Sequence, residues 1–298
     1  MMPDQAPLTF AVPFYRGEGF LREAIESVRR QESPDWRLIV CDDGASDAAR
    51  DLVASYRDER MEYRRNERRL GMAGNWNRCL RGVTTEFAVL LHADDRLRRE
   101  YLTVMRALIA RRPRAALYFC GASIIGADGR PRFSLTDAYK ALIEPKGDAV
   151  DLRGEDAVAR LLHGNFIFCP TMCYRRSAIG GRVFRDDLAF VLDLDFVVGA
   201  LVAGASIAGT AARAYEYRRY ADNTTAQLTR GTARFEEEIT YYRELETKLR
   251  AVGMRRAAAV ARGKRIILLN LLFWIARDVA HANFRPALAK ARLLRRLR

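Results

Sequence analysis

Adjacent acidic residues are the first feature of this sequence that could do chemistry. Asp42-Asp43 directly follow a short apolar run, and Asp94-Asp95 follow another after His92-Ala93. Like charges at contact distance repel each other and raise each other's pKa, so such a pair favours a bound divalent cation. Carboxylate oxygens, completed by the phosphates of a nucleotide, usually hold Mg²⁺ or Mn²⁺ in proteins. We therefore predict a metal site at Asp94 and Asp95, with an ordinary helix cap as the alternative for either pair.

Asp42 and Asp43 suit a nucleotide in a second way. An acid at the end of the second strand of an α/β sheet is well placed to accept hydrogen bonds from a ribose or a base. Gly17 and Gly19 upstream of Asp42 give a partial dinucleotide-binding fingerprint, but Arg22 occupies the position of its third glycine. A nicotinamide-dependent oxidoreductase is therefore a less favoured alternative.

Predicted strands and helices alternate along the first half of the chain, which favours a mostly parallel, Rossmann-like α/β sheet. In such a sheet ligands bind beyond the carboxyl ends of the strands, where both acidic pairs fall. Apolar runs predict strands over residues 8–15, 36–41, 61–64, 86–91, 116–125 and 165–174. Helical spacing predicts helices over residues 20–28, 74–80, 101–110 and 190–203, and a further helix is predicted to end at residue 56.

The formal net charge of +14 comes from the end of the chain. Residues 248–298 contain 14 of the 51 Lys and Arg residues and one of the 37 acidic residues, so the remainder is nearly neutral. Within residues 285–298, Leu and Ala alternate with Arg and Lys at near-helical spacing, which predicts a helix on an anionic membrane surface. A helix packed on the protein with a solvated basic face is the alternative. No base-reading motif accompanies the charge, so nucleic-acid binding is not predicted.

The cysteines and the N-terminal residues indicate in which cellular compartment the protein is expected. The five cysteines are odd in number and lie mostly within apolar runs, which is typical of reduced thiols. The first residues show no basic segment followed by an apolar one, so no signal peptide is predicted. The apolar run over residues 266–276 is shorter than the roughly 20 residues needed to cross a bilayer. We expect a cytoplasmic protein, peripheral on the inner face of the cytoplasmic membrane if its basic tail binds lipid.

Six segments resemble, in order, the motifs of glycosyltransferase family 2, whose members have the GT-A fold. The resemblance covers roughly residues 8–227, and it rests on the order and spacing of the motifs rather than on any single one. The six segments are Val12-Pro-Phe-Tyr15, Cys41-Asp-Asp-Gly-Ala-Ser-Asp47, Gly71-Met-Ala-Gly-Asn-Trp-Asn77, His92-Ala-Asp-Asp95, Leu192-Asp-Leu-Asp195 and Tyr217-Arg-Arg-Tyr-Ala-Asp-Asn-Thr224.

The resemblance implies inverting sugar transfer by single displacement from a nucleoside-diphosphate sugar donor. The acceptor would be a glycan, a lipid-linked molecule or a surface polysaccharide. Asp193 would be the catalytic base, and Asp94 with Asp95 would hold Mn²⁺ or Mg²⁺. The implied donor-binding residues are Pro13, Tyr15, Asp42, Asp43, Gly71, Asn75, Asp94, Arg218 and Arg219, and the implied acceptor-side residues are Cys169, Pro170, Thr171 and Asp195.

Two residues depart from the family's pattern. His92 stands at the first aspartate of the metal motif, so Asp94 must carry more of the metal binding. Tyr220 stands where family members often have His. These departures leave a noncatalytic sugar-nucleotide-binding or scaffold protein as an alternative to the enzyme.

The same comparison of motifs and composition predicts the domain organisation. Residues 130–150 show no clear periodicity and are predicted to form a mobile loop over the site. We predict a catalytic domain over residues 1–227, with a nucleotide-binding half at about residues 1–96 and an acceptor half at about residues 97–227, followed by a basic helical extension over residues 228–298.

Overall fold

The structure is a computed structural model that describes residues 7–133, 143–144, 146–147, 149–220 and 223–297. The contacts group the chain into two compact units, each made of several segments. The sheet unit comprises the chain up to Leu152 with Phe166–Asp186 and Ala205–Arg219, and the helical unit comprises Arg153–Asn165, Asp187–Gly204 and the chain from Tyr220. The predicted domain division at residue 227 stays a prediction.

Strands of the sheet unit join in one mixed sheet. They are β1 (Leu8–Phe14), β2 (Trp36–Asp42), β3 (Met61–Arg65), β4 (Phe87–Leu90), β5 (Arg96–Leu97), β6 (Leu117–Ile125), β7 (Val150–Leu152), β8 (Cys173–Arg175) and β9 (Ile207–Arg218). Among the described residues their order is β3-β2-β1-β4-β8-β6-β9-β5, and β7 pairs with β9.

Helices make up most of the remaining described chain. They are α1 (Glu18–Arg29), α2 (Asp47–Ser55), α3 (Gly71–Gly82), α4 (Tyr101–Arg111), α5 (Gly154–His163), α6 (Arg176–Ile179), α7 (Leu192–Val202), α8 (Thr224–Arg230), α9 (Ala233–Ala251), α10 (Arg255–Gly263), α11 (Arg265–Ala280) and α12 (Phe284–Leu293). No helix of the described chain is long and apolar enough to cross a membrane.

The strands β1 to β4 place their carboxyl ends at one edge of the sheet. β1 pairs in parallel with both β2 and β4, and β2 pairs in parallel with β3. Phe14 lies opposite Asp42, and Asp42 lies opposite Arg65, so the last residues of three strands are neighbours. Strands buried on both faces are expected to be apolar, as β4 is throughout and β1 is except at Thr9.

The prediction of an α/β sheet followed by C-terminal helices is confirmed. The predicted strand over residues 165–174 is wrong, because Cys169–Thr171 form a 3-10 turn with Pro170 in it and the strand begins only at Cys173. The loop predicted over residues 130–150 lies partly outside the described residues, and its last residue, Val150, begins β7. Helix α5 and strand β9 were not predicted.

Candidate active site

Asp42 ties together the carboxyl ends of β1, β2 and β3. Its side chain is fully buried and accepts hydrogen bonds from the backbone N–H of Gly44 at 2.7 Å and of Ser46 at 2.7 Å. It also accepts one from the hydroxyl of Tyr63 at 2.5 Å. Burial raises the pKa of Tyr63, and this hydrogen bond raises it further. Asp42 therefore fixes the turn between β2 and α2 and joins β3 to it.

Asp43 ties the same turn to the start of α3. Its Oδ1 accepts hydrogen bonds from Asn66 Nδ2 at 2.9 Å and from the backbone N–H of Leu70 at 2.6 Å. Its Oδ2 accepts one from the N–H of Gly71 at 2.9 Å, and Gly71 has a φ of 75°, which favours glycine. Asn66 also donates to Asn75 Oδ1 at 3.0 Å. Three predicted donor-site residues thus share one network around Asn66.

Tyr15 is an exposed ring next to this network. Its side chain is 45% exposed, and the guanidinium carbon of Arg69 lies 4.4 Å from the ring centroid. A Cβ on Gly44 would overlap the carbonyl oxygen of Tyr15, so only glycine fits that turn. Pro13, also predicted to contact the donor, is half-buried within β1. An exposed aromatic ring beside a guanidinium suits stacking on a base and contact with a phosphate.

His92, Asp94 and Asp95 follow β4 and bring possible metal ligands together. One ligand atom from each lies within 4.8 Å of the others. His92 Nε2 is buried and has no hydrogen-bond partner in the described part of the chain. Burial lowers the pKa of His92, and the charge of Asp94 acts in the opposite direction. A neutral imidazole with an unpaired buried nitrogen beside a carboxylate fits a divalent cation.

The two acids of this group have different surroundings. Asp95 is fully buried, and its Oδ1 accepts the backbone N–H of Arg218 at 2.7 Å while its Oδ2 accepts the hydroxyl of Tyr215 at 3.0 Å. Burial raises the pKa of Asp95 well above its usual range, as does the charge of Asp94, and the hydrogen bonds from β9 act against this rise. Asp94 is half-buried. Asp94 therefore offers the more accessible oxygens, and Asp95 anchors the turn.

The neighbouring arginines also differ. Arg218 is 1% exposed, and its guanidinium donates to the carbonyl oxygen of Asp94 at 2.6 Å, to Glu23 at 2.6 Å and to two carbonyl oxygens after β6. All of these contacts lie within the protein. Arg219 is half-buried, and its guanidinium carbon lies 5.2 Å from the centroid of the Tyr217 ring. Of the two, Arg219 is the more accessible to a phosphate.

Asp193, the predicted base, lies in the first turn of α7 in the helical unit. Its Oδ1 accepts the backbone N–H of Leu194 at 2.8 Å, and its Oδ2 accepts a hydrogen bond from Asn165 Nδ2 at 3.3 Å. Asp195 lies in the same turn and is half-buried. Negative side chains at a helix N-terminus are stabilised by the helix dipole. The amide of Asn165 therefore orients a half-buried carboxylate.

Glu237 of α9 holds the loop that precedes Asp193. Its carboxylate accepts the backbone N–H groups of Ala189 at 3.0 Å, Phe190 at 2.7 Å and Val191 at 2.8 Å. Hydrogen bonds to an ionised acceptor are stronger than neutral ones. Glu237 thus fixes the backbone that leads into α7.

The predicted acceptor-side residues 169–171 lie in the 3-10 turn of the sheet unit. Cys169 is half-buried, whereas Pro170 and Thr171 are buried. Thr171 Oγ1 donates to the carbonyl oxygen of Phe168 at 2.8 Å, and the Thr171 carbonyl accepts the hydroxyl of Tyr101 at 3.2 Å. The turn is therefore held rigidly by its own hydrogen bonds.

The sequence analysis missed several residues that hold these groups. Asn66 comes directly after β3, so the rule that identified the acids after β2 and β4 could have found it. Glu23, Tyr215 and Glu237 gave no such signal, because each lies far along the chain from its partner.

These features define the class of the protein. Residues 1–349 of S. aureus TarS in complex with UDP-GlcNAc superpose with a TM-score of 0.61 at 18% identity, covering 80% of this chain and 66% of that one. A mannosyltransferase from Pyrobaculum calidifontis, in complex with GDP-Man and Mn²⁺, superposes with a TM-score of 0.60 at 14% identity, covering 99% of this chain and 87% of that one. The sheet with its acidic turns therefore has the GT-A fold.

The sequence then gives the family. The sequence model of glycosyl transferase family 2 matches residues 9–180, more than half of the chain, so the chain belongs to this family. WfgD of Escherichia coli, a UDP-Glc:α-D-GlcNAc-diphosphoundecaprenol β-1,3-glucosyltransferase, is 34% identical over 92 residues, which are 31% of this chain and 36% of WfgD. The chain spans 57%, 36% and 61% of the length of the first three relatives found by sequence.

Proposed function

We propose that the chain transfers a sugar from a nucleoside-diphosphate donor to a glycan, lipid-linked or surface-polysaccharide acceptor. Family membership is the observation that carries the proposal. It is supported by the donors held by two neighbours in fold, UDP-GlcNAc and GDP-Man. The lipid-linked acceptor is supported by the name of WfgD, whose acceptor carries diphosphoundecaprenol.

The proposed reaction is a single displacement with inversion at the anomeric carbon. An acceptor hydroxyl oxygen forms a bond to that carbon, its proton passes to the carboxylate of Asp193, and the bond from the carbon to the phosphate oxygen breaks. The nucleoside diphosphate leaves with the electron pair. A carboxylate can serve as base because the hydroxyl becomes acidic only as the new bond forms. The hydrogen bonds from Asn165 and from the Leu194 N–H support this role because they orient the carboxylate.

His92, Asp94 and Asp95 would hold Mn²⁺ or Mg²⁺ in this proposal. The unpaired Nε2 of His92 and the half-buried carboxylate of Asp94 support it. When bound, the cation would supply Lewis acidity that neutralises charge on the departing diphosphate. Asp95 is proposed to contribute mainly by holding the turn, because both of its oxygens already accept hydrogen bonds from β9.

Donor binding is assigned to the exposed groups near the sheet edge. Tyr15 would stack on the base, and Arg219 would contact the diphosphate. Asp42, Asp43, Gly71 and Asn75 would shape the turns around the donor, because their polar groups bond to neighbouring backbone and side chains. Arg218 would act in the same way, through the turn that carries Asp94.

The proposed place of action is the cytoplasmic face of the membrane. The five cysteines are unpaired thiols, which supports a reducing compartment. The basic tail over residues 285–298 is proposed to attract anionic lipid, with about 1 kcal/mol for each Lys or Arg near the surface.

A thermal-shift screen tests the donor and metal assignments together. We expect UDP or GDP to raise the melting temperature when Mn²⁺ or Mg²⁺ is present and to lose that effect in EDTA. Protection by NAD(H) instead would favour the oxidoreductase alternative. Metal-independent binding, with no nucleoside diphosphate released in the presence of an acceptor pool, would favour the noncatalytic alternative.

A further inference from the structure

Helix α11 exposes a continuous apolar face. Leu268, Leu269, Leu272 and Phe273 are 38%, 58%, 47% and 41% exposed. Their spacing of one, three and four residues places them on one side of a helix with 3.6 residues per turn. The opposite side carries Ile267 and Leu271, both fully buried. The helix therefore has an inner apolar side that packs on the protein and an outer apolar side that does not.

The next helix adds to this exposed surface. On α12, Phe284 is 65% exposed and Leu288 is 57% exposed, whereas Ala287 and Leu293 are buried. Burial of Leu293 means that the apolar groups available to a partner lie nearer the start of α12 than the sequence alone predicted. We call these six exposed residues of α11 and α12 the apolar face.

Basic residues flank the apolar face along the chain. Asp278 is the only acidic residue from Lys248 to Arg298, and its carboxylate bonds to the ammonium of Lys290 at 2.7 Å. Arg265, Arg285 and other arginines of these helices are exposed. A surface that combines apolar side chains with exposed arginines complements an anionic lipid interface, which offers both an apolar layer and negative charge.

The length of α11 limits how it could meet a bilayer. Its 16 residues, at about 1.5 Å of rise each, extend about 24 Å. The hydrocarbon core of a bilayer is about 30 Å thick, so the helix is too short to cross it. A helix too short to cross the bilayer can bury an apolar side by lying in the plane of the interface.

We infer that the apolar face of α11 and α12 inserts into the interfacial layer of an anionic membrane. The inference goes beyond the proposed sugar transfer and beyond simple attraction of the basic tail, because it assigns the contact to uncharged side chains. Attraction by charge alone weakens with salt, whereas burial of apolar side chains persists.

Vesicle flotation tests the inference without any sugar donor or acceptor. The full chain is mixed with vesicles of phosphatidylglycerol and phosphatidylethanolamine, or of phosphatidylcholine, at low salt and in 0.5 M NaCl. We expect binding to the anionic vesicles that persists in high salt. The L269Q/F273Q double variant keeps the net charge, and its high-salt binding should fall about ten-fold or more. The control, V183Q/V252Q, alters two equally exposed apolar residues elsewhere and should bind like the wild type.

Tryptophan fluorescence gives a second readout of the same contact. Trp36 and Trp76 are buried, whereas Trp274 of α11 is half-buried. Anionic vesicles should shift the emission to shorter wavelength, and the W274F variant should lose that shift. Wild-type binding by L269Q/F273Q in high salt would overturn the inference. Light scattering tests the alternative that a second copy of the chain covers the apolar face. A wild-type dimer that becomes a monomer in L269Q/F273Q, with no vesicle binding by either protein, would also overturn the inference.

Discussion

The backbone N–H of Arg218 donates a 2.7 Å hydrogen bond to Oδ1 of Asp95, although 123 residues separate them in the chain. The guanidinium of Arg218 also bonds to the carbonyl oxygen of Asp94. Arg218 of β9 thus forms hydrogen bonds to both acidic residues of the proposed metal site. The placement of that turn depends on a strand that is formed much later in the chain.

Replacement of Arg218 by alanine should destabilise the fold. It removes one of the two guanidinium partners of Glu23, the other being Arg96, and it removes donors from three carbonyl oxygens. We expect a loss of about 3 kcal/mol in the free energy of unfolding. This value is at the low end of the range for breaking a buried ion pair, because the side chain of Glu23 is 40% exposed. Urea denaturation measures this loss.

Arg219→Ala is the matched control for Arg218→Ala. Arg219 is half-buried, so its loss should change stability by less than about 1 kcal/mol while it slows sugar transfer. Equal destabilisation by the two variants would contradict the assignment of Arg218 to structure and of Arg219 to the donor.

The turn after β2 should tolerate no side chain at Gly44. An alanine there would place its Cβ against the carbonyl oxygen of Tyr15, so the backbone must shift. We expect Gly44→Ala to destabilise the protein by about 2 kcal/mol or more. Gly19→Ala, in α1 with open space around the new Cβ, should instead stabilise it by about 0.5–1 kcal/mol. Thermal melts measure the melting temperatures of both variants. A lower melting temperature for Gly19→Ala than for Gly44→Ala would contradict the structure.

Metal binding should depend more strongly on Asp94 than on Asp95. In titrations of Mn²⁺ with UDP present, we expect Asp94→Asn to abolish detectable binding. Asp95→Asn should weaken it by about 10–100-fold, as loss of an outer supporting contact does. Asp51→Asn, an exposed aspartate on α2, serves as the control. Undiminished affinity in Asp94→Asn would show that the cation, if any, is bound elsewhere.

Asp193→Asn should lower the turnover number by about 10²–10⁴-fold, the usual contribution of a general base. Donor binding should remain close to that of the wild type, because the variant keeps the size of the side chain. Asp195→Asn, in the same helical turn, should lose much less activity. Titration calorimetry for the donor and a nucleoside-diphosphate release assay separate the two effects, and wild-type turnover in Asp193→Asn would exclude it as the base.

Glu237 should stabilise the fold through the loop before Asp193. Glu237→Ala removes three backbone hydrogen bonds to a carboxylate, and we expect stability to fall by at least about 2 kcal/mol. Glu236→Ala on the same helix should stay within about 0.5 kcal/mol of the wild type. Glu237→Gln keeps an acceptor oxygen and should recover part of the loss. Urea denaturation of the three variants measures these differences, and a Glu237→Ala variant as stable as Glu236→Ala would contradict the assignment.

The sequence by itself determined the first half of the fold. The apolar runs that became β1 to β4 and the helical spacing in α1 to α4 are local patterns, and in a parallel sheet they place Asp42 and Asp94 at the same edge without further information. The order of motifs was equally sufficient for the family.

Tertiary structure decided which residues are available for chemistry and which hold them. Arg218 and Arg219 are identical in type and adjacent, yet Arg218 is buried among acceptors at the end of β9, whereas Arg219 lies just beyond the strand and is only half-buried. The exposed side of α11 was likewise not readable from an almost wholly apolar run, since both sides of the helix carry leucine. Burial and long-range hydrogen bonds depend on partners that the folded chain brings together from distant positions, and no local pattern records them.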